Sequence, residues 1–401
     1  MPHALPVEDA RSPGRPNSYG ARRLTLSDFR SYASLDLDDL GDMIALVGDN
    51  GAGKTNVLEA LSLLSPGRGL RRAELSEFAR ANGAGGFAVS VEMGGAGARV
   101  QLGAGVEPGG PLARKFRIAR EAALSARAFG EHVRVVWLTP AQDGLFAGPP
   151  AERRRFLDRL TLSLDADHGA RVNALERALR GRNRLLEERG EAAWLDALER
   201  EAAELAVAVA AARGEAVRLL SGYVGDGELA GGESEDGFPR ALLSIEGEID
   251  RLVADRPALE AEDRYRFMLR ENRARDAAAG RALIGPQSSD LFVRLARTGA
   301  PAAQGSTGEQ KALLVGLILA QARLVRAASG LAPLVLLDEI AAHFDPRRRA
   351  ALYERLARLD AQVWMSGADE AAFSSLPGTA QRLRVTPGRI EPLASWSRGP
   401  I

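Results

Sequence analysis

The spacing of apolar residues divides the chain into three parts. Up to about residue 150, short alternating or wholly apolar runs predict β-strands, and one amphipathic run at 55–64 predicts a helix. The predicted strands cover residues 22–29, 34–40, 43–47, 86–93, 98–104 and 133–140, with 86–93 and 98–104 expected to be antiparallel. This first part is therefore expected to be mixed α/β.

Between about residues 150 and 280 the spacing becomes mainly helical. Helices are predicted over 150–165, 168–190, 192–224 and 255–280, with a strand within 239–253. The acidic, glycine-rich segment 225–237 predicts a loop. The longest predicted helix has about 30 residues, which is too short for a long coiled-coil arm, so this part is expected to be a helical insert.

From residue 281 onward strands and helices alternate again. Strands are predicted at 291–297, 333–339 and 361–367, and a helix is predicted to begin at 307. Such alternation favours a mainly parallel sheet. We therefore expect four segments: a disordered lead-in at 1–20, an N-terminal head part at 21–149, a helical lobe at 150–280 and a C-terminal head part at 281–401.

Composition narrows the class of protein. Of the 401 residues, 45% are hydrophobic and 26% are charged, as is typical of soluble globular chains. The chain has no cysteine, which excludes disulfides and thiolate metal sites. Basic and acidic residues balance at 53 each, so nucleic-acid binding would need local clusters of basic residues. The apolar runs are shorter than a membrane span, which predicts a protein that does not cross a membrane. The absence of cysteine fits the expected cytoplasmic location.

Residues 48–55, GDNGAGKT, match the phosphate-binding pattern G-x-x-x-x-G-K-[ST], here between a predicted buried strand and a helix. The glycines let backbone N–H groups face a phosphate, and the helix N-terminus adds partial positive charge. Lys54 is expected to reach the β- and γ-phosphates of ATP, and Thr55 to place its hydroxyl on Mg²⁺. The predicted nucleotide-binding residues of this P-loop are Gly48, Asp49, Asn50, Gly51, Ala52, Gly53, Lys54, Thr55 and Asn56.

The apolar run LVLL at 334–337 is followed by two acids, Asp338 and Glu339. The carboxyl end of a buried strand is where a P-loop protein holds its Mg²⁺-binding acid, so Asp338 is predicted to bind Mg²⁺ together with Thr55. Glu339 is then placed to polarise the attacking water. Lys54, Asp338 and Glu339 are the predicted catalytic residues. The alternative is a strand followed by a solvated acidic turn.

A second polar helix start lies far along the chain, in the segment GSTGEQK at 305–311, here called the signature segment. Ser306 and Gly308, ahead of a long apolar run, form a helix N-terminus that favours anions. An ordinary serine helix cap is the alternative interpretation.

The order of P-loop, helical insert, Ser-x-Gly helix start and LVLLDE resembles that of ABC-type ATPase heads. Within that class the chain resembles the RecF family of bacterial DNA replication and repair proteins, over about residues 22–375. GPPAERRRFLD and RGRNRLL are the narrowest of the motifs that carry the resemblance. These motifs are LSDFRSY (26–32), GDNGAGKTNVLEAL (48–61), GPPAERRRFLD (148–158), RGRNRLL (180–186), GPQSSDL (285–291), STGEQK (306–311) and LLDEIAAHFD (336–345).

The resemblance implies a P-loop ATPase head with a mixed sheet, an antiparallel subdomain and a helical lobe inserted between the P-loop and the signature segment. It implies ATP and Mg²⁺ as cofactors and slow, DNA-stimulated hydrolysis. It also implies an ATP-dependent homodimer, in which Ser306 and Gly308 serve the nucleotide of the second subunit. The implied partners are duplex DNA, gapped or single-stranded DNA junctions, and the proteins RecO and RecR. Gln142 lies where such heads place a Mg²⁺-contacting glutamine, the alternative being a polar loop residue.

Two positions depart from the family pattern. Family members commonly have GPHRDD where this chain has GPQSSD at 285–290. Ser366 stands where many ABC ATPases carry a switch histidine, which suggests that it touches the γ-phosphate or the water.

Three arginine clusters are candidates for DNA contact, against the alternative of solvated ion pairs. They are Arg68, Arg71 and Arg72; Arg153, Arg154 and Arg155; and Arg180, Arg182 and Arg184.

Two other functions share parts of this pattern. The ATP-hydrolysing subunit of a membrane transporter also has a P-loop and LLDE, but the large helical insert and the missing switch histidine argue against it. A long-armed SMC-like structural ATPase is disfavoured by the short insert.

Overall fold

Two six-stranded sheets and a group of helices make up the fold in the computed structural model, which describes residues 19–95, 97, 99–225, 238–340 and 344–393. Residues 1–18 of the predicted lead-in (1–20) and residues 226–237 of the predicted loop (225–237) therefore lie outside the described residues, whereas Gly20 begins a strand and Gly225 ends a helix. The division of the chain at residues 20, 149 and 280 stays a prediction.

The first sheet is antiparallel throughout, with strand order β2-β1-β4-β5-β6-β7. Alternating burial along β4 and β5 explains why the sequence predicted them, since one face packs inside and the other meets solvent. The strands β6 and β7 were missed, because they have only four and three residues and bury no side chain fully. The strands are β1 (Gly20–Phe29), β2 (Tyr32–Leu37), β4 (Phe87–Gly94), β5 (Val100–Val106), β6 (Lys115–Ile118) and β7 (Glu121–Ala123).

The second sheet is mixed, with strand order β14-β13-β3-β12-β11-β8. Its strands run parallel from β13 to β8, and β14 joins the edge antiparallel, as expected for a mainly parallel sheet. The sequence did not predict β13 and β14. The strands are β3 (Met43–Val47), β8 (Val135–Leu138), β11 (Leu334–Leu337), β12 (Gln362–Gly367), β13 (Gln381–Thr386) and β14 (Arg389–Pro392).

The helices follow the predicted spacing with two differences. The segment 239–253 is not one strand but β9 (Ala241–Glu246) followed by a helix that begins after Gly247, and β9 pairs antiparallel with β10 (Asp290–Leu295). The predicted helix at 255–280 is divided at Asn272, which has non-helical dihedral angles. The α-helices are α1 (Lys54–Ser62), α2 (Leu75–Phe78), α3 (Pro150–Leu164), α4 (His168–Glu187), α5 (Ala192–Gly225), α6 (Glu248–Asp255), α7 (Ala258–Glu271), α8 (Arg273–Ala279), α9 (Thr307–Ser329) and α10 (Pro346–Ala357).

The mixed sheet separates two apolar clusters. One face, together with α1, packs against the antiparallel sheet, and the other packs against α3, α9 and α10. Helix α3 was predicted as part of the helical lobe, yet its Phe156 and Leu157 lie in the same cluster as α9. A third cluster joins α4, α5, α6 and α7 within the lobe.

Helix α9 is the one helix of the described residues that is long and apolar enough to cross a membrane by length and composition. It is largely buried in the fold, where it packs beneath the mixed sheet. Its apolar character is therefore accounted for by the protein core.

Candidate functional site

The P-loop connects β3 to α1 at the carboxyl end of the mixed sheet. Gly48 has no room for a side chain, because a Cβ atom there would lie 2.2 Å from the backbone oxygen of Val385 on β13. Gly53 has a φ of 115°, and a Cβ atom there would lie 2.7 Å from the Tyr32 hydroxyl. Both glycines are thus required by backbone geometry and close packing.

Lys54 is turned toward the loop and is only 4% exposed. Its Nζ atom donates hydrogen bonds to the backbone oxygens of Gly48 at 2.6 Å and Asp49 at 3.0 Å. The same atom lies 3.5 Å from Oε1 of Glu339. The lysine ammonium therefore lies between the P-loop backbone and the second acid of the LVLLDE motif.

Thr55 and Asp338 meet although 283 residues separate them in sequence. The threonine hydroxyl donates to the two carboxylate oxygens of Asp338 at 2.9 Å and 3.1 Å. Strand β11 ends at Leu337 and delivers the mostly buried Asp338 to this point. The two residues predicted to bind Mg²⁺ are thus in direct contact.

Ser366, at the end of β12, is fully buried beside these acids. Its hydroxyl donates to Oδ1 of Asp338 at 2.7 Å and accepts a hydrogen bond from the backbone N–H of Glu339 at 2.9 Å. In this arrangement the Ser366 hydroxyl is enclosed and hydrogen-bonded to both acids, and its contact with the γ-phosphate or the water stays a prediction. It fixes the two acids relative to each other.

Glu339 has a φ of 51°, in the left-handed region that non-glycine residues seldom adopt. Such strain persists only where surrounding contacts hold it, and it is concentrated at functional sites. Here the hydrogen bond from Glu339 N–H to Ser366 helps to hold the turn that directs the carboxylate toward Lys54.

The donor set fits Mg²⁺. A hydroxyl and a carboxylate are the hard oxygen ligands that this ion takes, and it usually keeps several waters and binds substrate phosphates as well. Within the described ranges no group of three or more histidine, aspartate or glutamate side chains converges as a metal cage. Thr55 and Asp338 are therefore the two side chains that would hold the ion.

The other P-loop residues differ in exposure and in the hydrogen bonds of their side chains. Asp49, Asn50 and Gly51 are exposed, whereas Ala52 is buried. The Asn56 side chain donates to the Ser31 hydroxyl at 2.9 Å and accepts from Arg71 at 2.9 Å. Its predicted contact with nucleotide stays a prediction.

Gln142 ends a short 3₁₀ turn, Pro140–Gln142, directly after β8. Its Oε1 atom accepts from the backbone N–H of Thr139 at 3.1 Å, while its Nε2 atom is buried and has no partner among the described residues. Gln142, Thr55 and Asp338 line one cavity of about 610 Å³. This placement agrees with the Mg²⁺-side position that the resemblance implied, and the contact itself stays a prediction.

The signature segment opens α9 on the protein surface. Ser306 is exposed and caps the helix, accepting from the backbone N–H of Glu309 at 3.3 Å. Glu309 accepts in return from the N–H and the hydroxyl of Ser306, and these hydrogen bonds hold the pKa of its carboxyl below the usual range. The ordinary cap is therefore present. Across the part of the chain that the structure describes, no hydrogen bond or ion pair joins Ser306 or Gly308 to the P-loop.

A buried lysine joins α9 to the 3₁₀ turn that ends at Gln142. Lys311 is 6% exposed, and its Nζ atom lies 3.2 Å from Oδ2 of Asp143. Because Asp143 follows Gln142 directly, this pair joins the first turns of α9 to the turn after β8. The sequence analysis missed this pair, since nothing in the local pattern connects residues 168 positions apart.

The arginines of the three clusters differ in burial and in their partners. Arg182 is completely buried, and Arg153 is held by Asp290 at 2.7 Å and by backbone oxygens, so neither can contact DNA in this fold. Arg154 donates to the backbone oxygen of Ser289 at 2.9 Å. The most exposed members are paired with acids: Arg68 with Glu74, Arg180 with Glu176 and Arg184 with Glu188. For most of these residues the ion-pair alternative is the one realised.

Comparisons with known proteins show which proteins this chain is similar to. Residues 43–131 and 229–366 match the family model described as AAA domain, putative AbiEii toxin, Type IV TA system. The DNA replication and repair protein RecF of Mesorhizobium japonicum is 50% identical over 372 residues, covering 92% of this chain and 97% of that protein. RecF of Rhizobium meliloti is 50% identical over 379 residues, covering 94% and 99%.

A solved structure has the same fold. The recombination mediator protein RecF-ATPrS in the RecFOR pathway aligns with a TM-score of 0.81, covering 95% of this chain and 100% of that one at 18% identity. The predicted architecture is thereby confirmed: a P-loop ATPase head with a mixed sheet, an antiparallel subdomain and an inserted helical lobe.

Proposed function

The chain belongs to the RecF family of DNA replication and repair proteins, and from this premise we propose that it binds ATP with Mg²⁺ and hydrolyses it at the P-loop. The observation that carries the proposal is the meeting of Thr55 with Asp338 and of Lys54 with Glu339. Four side chains from two distant motifs converge at one helix N-terminus, where phosphate is favoured.

Each of the four side chains has a role in the proposed reaction. Lys54 exchanges its backbone partners for β- and γ-phosphate oxygens, and Thr55 and Asp338 hold Mg²⁺. When bound, Mg²⁺ neutralises charge on these phosphates. Glu339 accepts the proton of the attacking water as general base. Ser366 acts as a positioning residue, because it orients Asp338 and the backbone of Glu339.

The exposed signature segment supports a dimer. Ser306 and Gly308 lie at the surface, and among the described residues no hydrogen bond or ion pair joins them to the P-loop of their own chain. Ser306 caps a helix of 23 residues. We propose that ATP binding joins two heads, so that each signature segment faces the nucleotide of the other. Glu309 must then release Ser306, whose donors it occupies in the single head.

DNA is the proposed macromolecular partner. The dimer clamps duplex DNA and junctions beside gaps, and slow hydrolysis, stimulated by DNA, releases it. RecO and RecR are the proposed protein partners, and the cytoplasm is the proposed location. Family membership supports this role, and it does not favour the alternative of a transporter subunit.

The test uses the variant Glu339→Gln. It should bind ATP with wild-type affinity but hydrolyse it roughly 100-fold more slowly, because the water loses its general base. The stalled protein should accumulate as an ATP-bound dimer, measured by size-exclusion chromatography with light scattering. Hydrolysis at the wild-type rate would show that Glu339 is not the base.

A double variant tests the arrangement between subunits. Ser306→Arg in the Glu339→Gln background should bind ATP, since its own P-loop is intact, and yet stay monomeric. Ser221→Arg, which adds the same side chain at an exposed position of α5, is the matched control and should dimerise. If the Ser306→Arg protein dimerises equally well, the signature segment is not at the interface.

A further inference from the structure

The cavity beside Thr55 and Asp338 is rich in arginine. The cavity has a volume of about 610 Å³, and its lining includes Gln142 on one side and Glu152 of α3 on another. The arginines that line it are Arg71, Arg72, Arg155 and Arg159. Four guanidinium groups therefore face the space next to the proposed Mg²⁺ site, against the two carboxylates of Glu152 and Asp338.

Two of these arginines are already neutralised. Arg71 donates to Glu59 at 3.3 Å and to Asn56 at 2.9 Å, and Arg155 pairs with Glu152. Over the described part of the chain, Arg72 and Arg159 form neither a hydrogen bond nor an ion pair. The cavity thus contains two uncompensated positive charges.

Arg159 is held in a fixed position by aromatic rings. Its guanidinium lies 4.8 Å from the ring centre of Trp137 and 5.6 Å from that of Phe156. The Nη2 atom is shielded from solvent and has no acceptor among the described residues. Burial, with repulsion from Arg72, lowers the pKa of Arg159 to about 10, so the group is still a cation at neutral pH. A shielded cation without an acceptor costs free energy that a bound anion would recover.

Arg72 approaches the same space from the loop after α1. It is exposed and has a φ of 59°, in the left-handed region. Strain of this kind is concentrated at ligand-binding sites. Arg72, in this strained loop, and Arg159, over the rings of Trp137 and Phe156, both place an unpaired guanidinium at the same cavity.

We propose that Arg159 and Arg72 form an oxyanion subsite that holds the orthophosphate cleaved from ATP before it leaves the protein. Planar guanidinium groups bind tetrahedral phosphate through paired N–H donors, which suits a product carrying two negative charges. The subsite shares its cavity with Thr55 and Asp338, so the γ-phosphoryl group would have a short path to it. This inference rests on the proposed ATP hydrolysis.

The chemistry balances without another reactant. The water oxygen forms a bond to the γ-phosphorus, the bond from that phosphorus to the bridging oxygen breaks, and ADP retains the electron pair. One water proton passes to the Glu339 carboxylate. The product orthophosphate then moves from the P-loop toward Arg159 and Arg72. A DNA backbone phosphate offers the same oxyanion chemistry, but the shielded position of Arg159 over Trp137 favours the small ion.

The experiment measures orthophosphate binding directly, by equilibrium dialysis of radiolabelled orthophosphate against protein loaded with ADP and Mg²⁺. Wild type should bind the ion saturably. Arg159→Gln and Arg72→Asn should each weaken binding roughly tenfold or more, because each removes one charged donor. Asparagine is used at position 72 because it tolerates the left-handed conformation. ADP affinity, measured separately, should stay within about twofold of wild type in both variants, because the P-loop is intact.

Control variants separate specific from general effects. Arg218→Gln removes an exposed arginine on α5 that pairs with Glu215 at 2.6 Å, and should bind orthophosphate like wild type. Arg159→Lys keeps the charge and the apolar stem but loses the planar fork, so its affinity should be intermediate. If Arg159→Gln does not fold, as judged by thermal unfolding, Arg159→Lys and Arg72→Asn decide the question.

Three results would overturn the proposal. Wild type that binds ADP but not orthophosphate would remove the subsite while the proposed ATPase function stands. Wild-type protein that binds neither ADP nor orthophosphate would contradict both the subsite and the proposed ATPase function. Unchanged orthophosphate binding in Arg159→Gln, together with weakened binding of duplex DNA, would assign this arginine to the DNA backbone instead.

Discussion

At the scale of single residues, Ser366 shows how one hydroxyl positions two functional groups. It donates to Asp338 and accepts from the backbone N–H of Glu339, and it is fully buried. Thr55 donates to the same carboxylate, so Asp338 is held by two hydroxyl groups from different motifs. Since a buried N–H without an acceptor is costly, the serine also stabilises the strained turn at Glu339.

We expect Ser366→Ala to separate binding from chemistry. The variant should lose about 1–2 kcal/mol of unfolding free energy, because the Glu339 N–H loses its acceptor. ATP hydrolysis should fall roughly tenfold, since the acids are less well placed, with a much smaller change in ADP affinity. The rate of phosphate release measures hydrolysis, and urea unfolding measures the loss of stability. Ser221→Ala, which removes a hydroxyl bonded within α5, is the control. Equal hydrolysis rates in the two variants would contradict the positioning role.

At the scale of elements, the helical lobe is joined by a buried network centred on Arg182 of α4. Its guanidinium donates to Glu199 of α5 at 2.9 Å, to Asp276 of α8 at 2.8 Å and to the backbone oxygen of Leu269 on α7 at 2.6 Å. Arg273 also pairs with Glu199, at 2.5 Å. Four helices are therefore fixed relative to one another by the residue that the RGRNRLL motif contributes.

Arg182→Met should destabilise the lobe strongly. It leaves Asp276 and Glu199 buried with fewer or no cationic partners, and breaking such a network costs about 3–5 kcal/mol. Arg180→Met, two positions away, removes only an exposed pair with Glu176 and should change stability by less than about 0.5 kcal/mol. Urea unfolding of both variants makes the comparison. Similar midpoints for the two would show that the network contributes little.

At the scale of the whole molecule, the mixed sheet brings the P-loop and the LVLLDE motif together at the carboxyl ends of its strands. The signature segment does not join them and lies on the surface of the head. The parallel strands β3, β12 and β11 end side by side, which places Lys54, Ser366 and Asp338 together. Ser306 lies on the surface at the start of α9. One head can therefore hold nucleotide, but the proposed second phosphate site needs another head.

DNA binding should consequently depend on ATP. The chain has balanced charge, and most of the clustered arginines are paired or buried, so a single head presents few free phosphate contacts. Two joined heads would contribute contacts together, and more contacts release more counterions. Affinity for duplex DNA and its salt dependence should both increase with ATP, as measured by fluorescence anisotropy across a salt series. Contacts should be mainly to backbone, with little sequence preference.

The Ser306→Arg variant is the control for this coupling. It should bind ATP and show the weak, ATP-independent DNA binding of the single head. Identical affinity and salt slope with and without ATP, in wild-type protein that dimerises, would contradict the dependence on the dimer.

Local patterns determined much of this protein. The P-loop could be predicted because Gly48, Gly53 and Lys54 have a spacing set by one strand–loop–helix turn. Asp338 and Ser306 could be predicted because an apolar strand ends at the first and a helix begins at the second. In each case a few neighbouring residues satisfy the physical requirement, so the order of residues is sufficient to propose them as site residues.

Tertiary structure decided what depends on distant partners. Local patterns cannot show that β13 crowds Gly48 or that the Ser366 hydroxyl is enclosed by the two acids. Nor can they show that Arg153 and Arg182 are held inside the fold, while Arg72 and Arg159 have no hydrogen-bonding or ionic partner among the described residues. An arginine has the same sequence signature in a solvated pair, a buried network or a ligand site. Burial and partner identity follow from contacts between elements far apart along the chain, and they are fixed only when the sheets and helices pack.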